Sequence, residues 1–409
     1  MATVVVPSAA RIIKELLAAP QVQTAFRTLE SDSSEITAEQ IRIASIPAPP
    51  FGEAERAKYL CNRFRELGLA NTRIDKEGNV LALQVGQLES PLLVISAHLD
   101  TVFPLETDFS VQRSGNKLLG PGISDDACGL VALLALVRAF QQSRVQTVGS
   151  ILFVATVGEE GEGNLRGVRY LFTESEWRDR ITAFVSFDGP GVERITNRAL
   201  GSRRYRVQLA GSGGHSWGDF GVANPVHALG RAIAKLASYP LPLEPKTTFN
   251  VGRIEGGSSI NAIPEVAMMD VDLRSVDEDE LLRLDAFFRR AVREATDEEN
   301  AARRKRNHPL ELNLKLIGER PSGQTSTDNL LVQLALEATR SLGFAATLDQ
   351  ASTDSNLPIS LGIPAITLGA GGTSGNSHTL AEWYDPTGRE QGLRRALLVA
   401  LGMVGIDGK

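Results

Sequence analysis

The sequence predicts an α/β protein: a largely parallel sheet covered by helices on both faces, interrupted by a smaller inserted α+β domain of ferredoxin-like pattern. Three observations predict it. Apolar strand-like runs alternate with helical periodicity from the N-terminus to about residue 200. A block from Gly201 onward reads strand, helix, strand, strand, helix, strand, which is the split-βαβ order. From about residue 320 helix and strand alternate again. The chain therefore divides into a main domain in two parts, 1–200 and 320–409, around an insert at 201–319. At 409 residues it also exceeds what one core usually supports.

Taken in order, helical spacing with start signals runs over Ala38 to Ile46 and over Glu53 to Leu67, where Gly68 follows as a stop. Strands are expected at Val80 to Val85, Leu92 to Ala97, Ile151 to Val157 and Ala183 to Phe187. Between them Ala127 to Phe140 is the strongest helix; its apolar run from Gly129 is too short for a bilayer and contains Arg138, so it reads as buried. The insert gives strand Tyr205 to Leu209, helix Pro225 to Ser238, strands Thr248 to Ile254 and Ala267 to Arg274, helix Glu278 to Ala295 and strand Leu310 to Ile317. Helix Asn329 to Leu342 and strand Ala365 to Leu368 complete the main domain.

Composition narrows the class. With 42% hydrophobic and 22% charged residues the chain is an ordinary globular protein, and a net charge of −6 argues against nucleic acid or an anionic membrane as partner. The basic run Arg303 to Arg306 follows Asp297, Glu298 and Glu299 and reads as a solvated helix end. Cys61 and Cys128 are too few for a disulfide framework, which suits a reducing cytoplasm. Met1 to Pro7 has no basic segment before a long apolar one, so no signal peptide is expected.

The chemistry gathers where strands end. Ser96-Ala-His98-Leu-Asp100, Gly122-Ile-Ser-Asp125-Asp126, Gly158-Glu159-Glu160-Gly161 and Ser186-Phe-Asp188-Gly189 each run from apolar residues into acids or imidazole; Asn376-Ser-His378 follows the last strand and a Gly-rich loop. In an open α/β sheet such ends share one edge. So many acids in one place need a counter-charge, which a divalent metal supplies, and mixed nitrogen and oxygen donors fit zinc best, with manganese or cobalt next. Each segment also has a plainer reading: Asp125-Asp126 as a helix cap, Glu159-Glu160 as solvated loop acids, His98 as a core histidine. Gly120-Pro-Gly122 lacks the third glycine of a dinucleotide loop, and acids there would repel phosphate.

The order His98-x-Asp100, Gly120-x-Gly-x-x-Asp125-Asp126, Glu159-Glu160, Asp188 and His378 resembles the co-catalytic zinc metallopeptidase family of peptidase T, bacterial dipeptidases, carnosinases, glutamate carboxypeptidase, aminoacylase and succinyl-diaminopimelate desuccinylase. The resemblance spans nearly the whole chain. It implies a zinc-exopeptidase-like fold and two metals bridged by Asp125, with His98 and Asp188 completing one site and Glu160 and His378 the other. It further implies Asp100 orienting His98, Glu159 as general base, and a cis peptide after Asp125. The insert is similar to that family's lid and dimerisation domain, through Gly213-Gly-His215-Ser and Gly256-Gly-Ser-Ser-Ile-Asn261-Ala-Ile-Pro264 followed by Asp272-Leu-Arg274. That likeness implies a homodimer, His215 at the oxyanion and Asn261 and Arg274 on substrate; the plainer reading of Arg274 pairs it with Asp272 or Asp270.

Where many members of the resembled family carry lysine and glycine after the acidic pair, this chain has Ala127 and Cys128, and packing is expected of Cys128. Glu162 is expected in solvent, His227 and His308 structural or exposed, and Thr353-Asp354 structural. In the resembled family an aspartate at the place of Asp188 goes with peptidases and a glutamate with deacylases. The expectation is therefore an exopeptidase on short peptides, with an N-acyl-amino-acid deacylase or glutamate carboxypeptidase-like amidohydrolase as the alternative. A metal-free carboxylate-pair hydrolase and a non-catalytic binding protein on this fold are the readings from other classes.

Overall fold

A computed structural model describes residues 8–305 and 308–407. Met1 to Pro7 and Arg306 lie outside these, and with them the N-terminal expectation and the end of the basic run. The chain separates into two compact units, residues 1–199 with 324–409, and residues 200–323.

The first unit opens with helices α1 (Ala9–Ala18), α2 (Pro20–Ser31), α3 (Ser33–Ala44) and α4 (Ala54–Glu66). Strands β1 (Ala70–Ile74), β2 (Val80–Gln84), β3 (Leu92–His98), β4 (Gln112–Ser114) and β5 (Lys117–Leu119) follow. Then come α5 (Ala127–Ser143), β6 (Ser150–Thr156), α6 (Arg166–Thr173), β7 (Ile181–Phe187) and β8 (Arg194–Ala199). The second unit holds β9 (Gly201–Ala210), β10 (Gly214–His215), α7 (Pro225–Ala237), β11 (Thr247–Gly256), β12 (Ala262–Ile263), β13 (Val266–Ser275), α8 (Glu278–Ala301) and β14 (Glu311–Arg320). After β15 (Gly323–Gln324), the first unit resumes with α9 (Leu330–Ser341), β16 (Thr347–Ala351), α10 (Asn356–Ser360), β17 (Ala365–Leu368), β18 (Thr373–Gly375), β19 (Trp383–Asp385) and α11 (Arg389–Val404).

The large sheet runs β1-β2-β6-β3-β7-β17-β8-β15, with β16 beside β8. Its centre, β6, β3, β7 and β17, is parallel, and β2 and β8 join antiparallel on either side. Every residue of β3 and of β6 is buried because both faces are covered. Leu93, Ile95 and Ala97 point into the core shared with α1 to α5, α9 and α11, while Leu92 and Val94 point into a second core under α6. The unbroken apolar reading of α5 has the same cause: it is buried on all sides, with Arg138 ion-paired to Asp32 and Glu35.

In the second unit the sheet order β11-β13-β9-β14, antiparallel throughout, is the ferredoxin-like arrangement expected. Tyr205, Val207, Leu209, Met269, Val271 and Leu273 alternate onto the face packed by α7 and α8. The intervening positions carry charge, and Arg206 with Asp270 makes a cross-strand ion pair at 2.8 Å.

The sequence did not foretell α1, α2, α6, β8, β16, α11 or the small sheet β18-β19-β5-β4. The four strands of that sheet are three residues each, too short to show a period. In α11 the buried face includes Arg389 and Arg395, which breaks the apolar stripe that marks a helix.

Candidate metal centre

Register explains why the predicted residues meet. His98 ends β3 opposite Thr156 of β6, and Ser96 lies opposite Ser186 of β7, so Asp188, two residues on, falls level with His98 at the same edge. Glu159 and Glu160 follow Thr156 through a turn at Gly158, whose φ of +67° favours glycine. A Cβ at Gly163 would run into the Gly158 backbone, so the turn closes only with glycine there. This accounts for glutamates flanked by glycines: the strand must reverse at once and still present two carboxylates.

Asp125 and His378 arrive through the small sheet. His378 sits in the loop that joins β18 to β19, and β19 pairs with β5, which leads into the Gly120 to Asp126 loop. Glu382, fully buried at the end of the His378 loop, accepts hydrogen bonds from Gly122 N (3.0 Å), Ser124 N (2.8 Å), Ser124 Oγ (2.7 Å) and Asp125 N (3.0 Å). One carboxylate thus fixes the approach to Asp125, and the Asp125–Asp126 peptide is cis. Asp126 turns away, accepting from His98 N (3.2 Å), from Gly129 N at the start of α5 (3.1 Å) and from Gly189 N (3.3 Å). The cap reading therefore holds for Asp126, while Asp125 faces the imidazoles.

The two oxygens of Asp125 reach two histidines, His98 Nε2 at 2.9 Å and His378 Nε2 at 3.0 Å, and His378 Nε2 also lies 3.0 Å from Glu160 Oε1. Donor atoms of His98, Asp125 and Glu160 lie within 4.8 Å of one another. Asp188 lines the same cleft as Asp125, a space of about 720 Å³ bounded by 188–194 on one side and by 372–374 and Ser377 on another. Asp100 acts mainly on the glutamates: its Oδ1 accepts from Glu159 N (3.0 Å) and its Oδ2 from Glu160 N (2.7 Å). His98 Nδ1 meets the Asp100 carbonyl at 3.0 Å, and the carboxylate only at 3.6 Å.

The electrostatics describe a site crowded with protons. Burial pushes the Asp188 carboxyl well above its usual range, and the Asp125 charge adds to this, with Glu159 also close enough to contribute. Burial lowers His98, yet the carboxylate of Asp100 at 3.6 Å and that of Asp125, hydrogen-bonded at 2.9 Å, carry it well above its ordinary value. Hydrogen bonds to Asp125 and Glu160 raise His378 to about 11. Asp125 is held below the usual range; burial opposes this, but the two histidines prevail. Imidazole nitrogens and carboxylate oxygens at these separations form a donor set that fits divalent cations. Cys128 is no part of it: its buried Sγ donates to Ser124 O at 2.9 Å.

Sequence reading missed three supports. Glu382 ends no predicted strand. Gln40 Nε2 donates to Ile123 O at 2.6 Å from a helix placed only approximately. Arg56, fully buried in α4, donates to Leu99 O at 2.7 Å, between His98 and Asp100, and its charge is felt by Asp100 and Asp126. Asp354 does support the site, accepting from Thr156 Oγ1 at 2.5 Å, and Glu162 is exposed.

In the second unit His215 and Asn261 come together, since β10 pairs with β12 and Ser216 N donates to Asn261 O at 2.9 Å. His215 Nδ1 accepts from Trp217 N (3.3 Å) and Gly218 N (3.2 Å), which leaves Nε2 as the N–H donor. Arg274 lies at the far end of β13, eight residues from Val266 or about 26 Å along the strand, and donates to Asp272 at 2.6 Å, as its plainer reading had it. His227 and His308 are exposed.

The sequence profile of Peptidase family M20/M25/M40 matches residues 94–401. An uncharacterized protein YqjE of Bacillus subtilis (strain 168) is 25% identical over 355 residues, 81% of this chain and 89% of that protein. A succinyl-diaminopimelate desuccinylase of Leptothrix cholodnii is 28% identical over 225 residues, 51% of this chain and 57% of that protein, so the match spans just over half its length. The aminopeptidase PepT from Bacillus cereus superposes with a TM-score of 0.71 at 19% identity, covering 91% of this chain and 98% of that one. The YxeP protein of Bacillus subtilis, a dinuclear metal binding peptidase from the M20 family, gives 0.65 at 18% identity over 92% and 100%.

Proposed function

This chain belongs to Peptidase family M20/M25/M40, and on that premise we propose that it hydrolyses the amide bond of short peptides as a di- or tripeptidase of the exopeptidase kind. The family makes it a metal-dependent peptidase or amidohydrolase. The observation that supports a two-metal site is the position of Asp125, one oxygen toward His98 and the other toward His378, and the cue for a peptidase within the family is an aspartate, Asp188, lining the same cleft. His98 and Asp188 would hold one divalent cation, Glu160 and His378 the other, with zinc the first choice. Bound there, the cations supply Lewis-acid polarisation of the scissile carbonyl and acidify the attacking water.

The chain's own groups supply the remaining steps. The Glu159 carboxylate takes the water's proton and returns it to the leaving amine, a role worth roughly 10²–10⁴ in rate. Asp100 holds both glutamates by their backbone N–H groups, so that Glu159 and Glu160 keep separate tasks in one turn. His215 Nε2–H is a donor suited to the oxyanion, Asn261 is assigned to substrate, and Arg274 to a substrate carboxylate, which would have to compete with Asp272 for its guanidinium. A homodimer through the second unit belongs to the same reading. The desuccinylase relative favours a second reading, an N-acyl-amino-acid deacylase. Metal analysis, then kcat/KM on di- and tripeptides beside N-acetyl and N-succinyl amino acids, separates the two. Preference for peptides, lost on chelation and restored by zinc, manganese or cobalt, is expected. Preference for the acylated set overturns the peptidase assignment, and activity that survives exhaustive chelation overturns the metal assignment.

A further inference from the structure

Arg395 lies in the middle of α11, is fully inaccessible to solvent, and pairs with no carboxylate among the described residues. Its guanidinium donates only to backbone carbonyls: Nη1 to Val192 O and, at 2.9 Å, to Arg194 O, and Nη2 to Gly369 O at 2.7 Å. Burying a cation without a counter-charge is costly, and here burial holds its pKa down at about 9. A cost of that kind persists where the alternative is worse, and the alternative is a set of buried carbonyls without donors.

Those carbonyls belong to two loops. Residues 188–194 leave β7 with Asp188 at their head, and residues 369–378 leave β17 and end at His378. The loops run side by side, with Asp188 N donating to Leu368 O (3.1 Å), Ala370 N to Gly189 O (2.9 Å) and Gly371 N to Gly191 O (3.1 Å). Gly369 has no room for a side chain against Pro190 O, and Gly392 of α11 lies directly against Gly371. Residues 188–194 and, from the other segment, Gly372, Thr373, Ser374 and Ser377 are also walls of the cleft that opens at Asp125. One side chain therefore fastens the segment that follows Asp188 to the segment that leads from β17 through β18 to His378.

We propose that Arg395 is a positioning residue of this enzyme: through Val192, Arg194 and Gly369 it sets the spacing of the two cleft walls, and hence of Asp188 relative to His378. The proposal rests on the functional reading above. Lysine keeps the charge but has no planar fork, so it cannot reach carbonyls of both loops in these directions.

The test compares wild type, Arg395→Lys and Arg395→Met for thermal midpoint, zinc affinity by chelator competition, and kcat and KM on the preferred peptide. Arg395→Lys is expected to fold with a lowered midpoint, since it leaves some of these carbonyls without a donor, and also to bind zinc at least tenfold more weakly and to lose about 10–100-fold in kcat/KM, mostly through KM. Arg395→Met is expected to lose at least as much. A lowered midpoint with zinc affinity and KM unchanged in Arg395→Lys overturns the proposal, since that is what packing alone would give. Wild-type protein that neither binds zinc nor cleaves peptides defeats the functional reading instead, and is seen before any variant is made.

Discussion

Individual side chains carry sharply different duties in this site, and substitution separates them. Glu159→Gln keeps the shape and the backbone bonds to Asp100, so metal binding is expected to stay within a few-fold of wild type while kcat falls by about 10²–10⁴; calorimetry beside steady-state kinetics checks both, and activity within tenfold contradicts the assignment. Glu382→Gln places an amide where four donors converge on a carboxylate, and zinc affinity is expected to drop about 10–100-fold although the residue touches no metal. In the metal-free protein His98 and His378 both hold a proton more tightly than a free imidazole, because carboxylates face each ring. Ligation requires neutral rings and an ionised Asp188, so zinc uptake should release protons, and apparent affinity should fall as pH falls. Titrations in two buffers of different ionisation enthalpy count the protons, and a count of zero refutes the ligand set. His98, Glu160 and Asp188 were legible because each follows an apolar run that announces a strand end, whereas Asp125 was read from the acidic pair ahead of α5 and follows the hidden β5. Glu382 and Arg56 were not, because their duty is to backbone atoms and leaves no spacing in the sequence.

Elements decide which loops meet. The parallel strands β6, β3, β7 and β17 bring their carboxyl ends to one edge, and their apolar runs made this half of the site readable in advance. The other half depends on β18, β19 and β5, whose three-residue lengths hide them, and on α11, whose buried arginines disguise it. The turn after β6 is the most sensitive element. Gly163→Ala would force a methyl into the Gly158 backbone, displacing Glu159 and Glu160 together. A loss of both zinc affinity and turnover is expected, with the melting temperature lowered by only a few degrees because the turn lies outside the core; zinc affinity equal to wild type would show that the turn does not position Glu160.

At the scale of the molecule, the metal-free site should be visible in the pH dependence of stability. His378, His98 and Asp188 all have folded pKa values raised above their unfolded ones, so the folded chain binds more protons and stability falls as pH rises. The His378 contribution is complete below about 6.5 and is lost as pH rises through about 11. His378 is half-exposed, so solvent screening keeps it modest. In chelator the thermal midpoint is expected to decline from pH 6.5 to 9, and zinc should raise it and flatten the decline; a midpoint that climbs over that range reverses the sign and contradicts the charge assignment. The two-unit division and the ferredoxin-like order of the insert were readable because each element there has ordinary length and period. The most direct measurement is anomalous diffraction at the zinc edge from crystals grown with zinc. Two peaks are predicted, one beside each oxygen of Asp125, the first against His98 and Asp188 and the second against Glu160 and His378. Peaks elsewhere, or none at Asp125, would contradict the account at its centre.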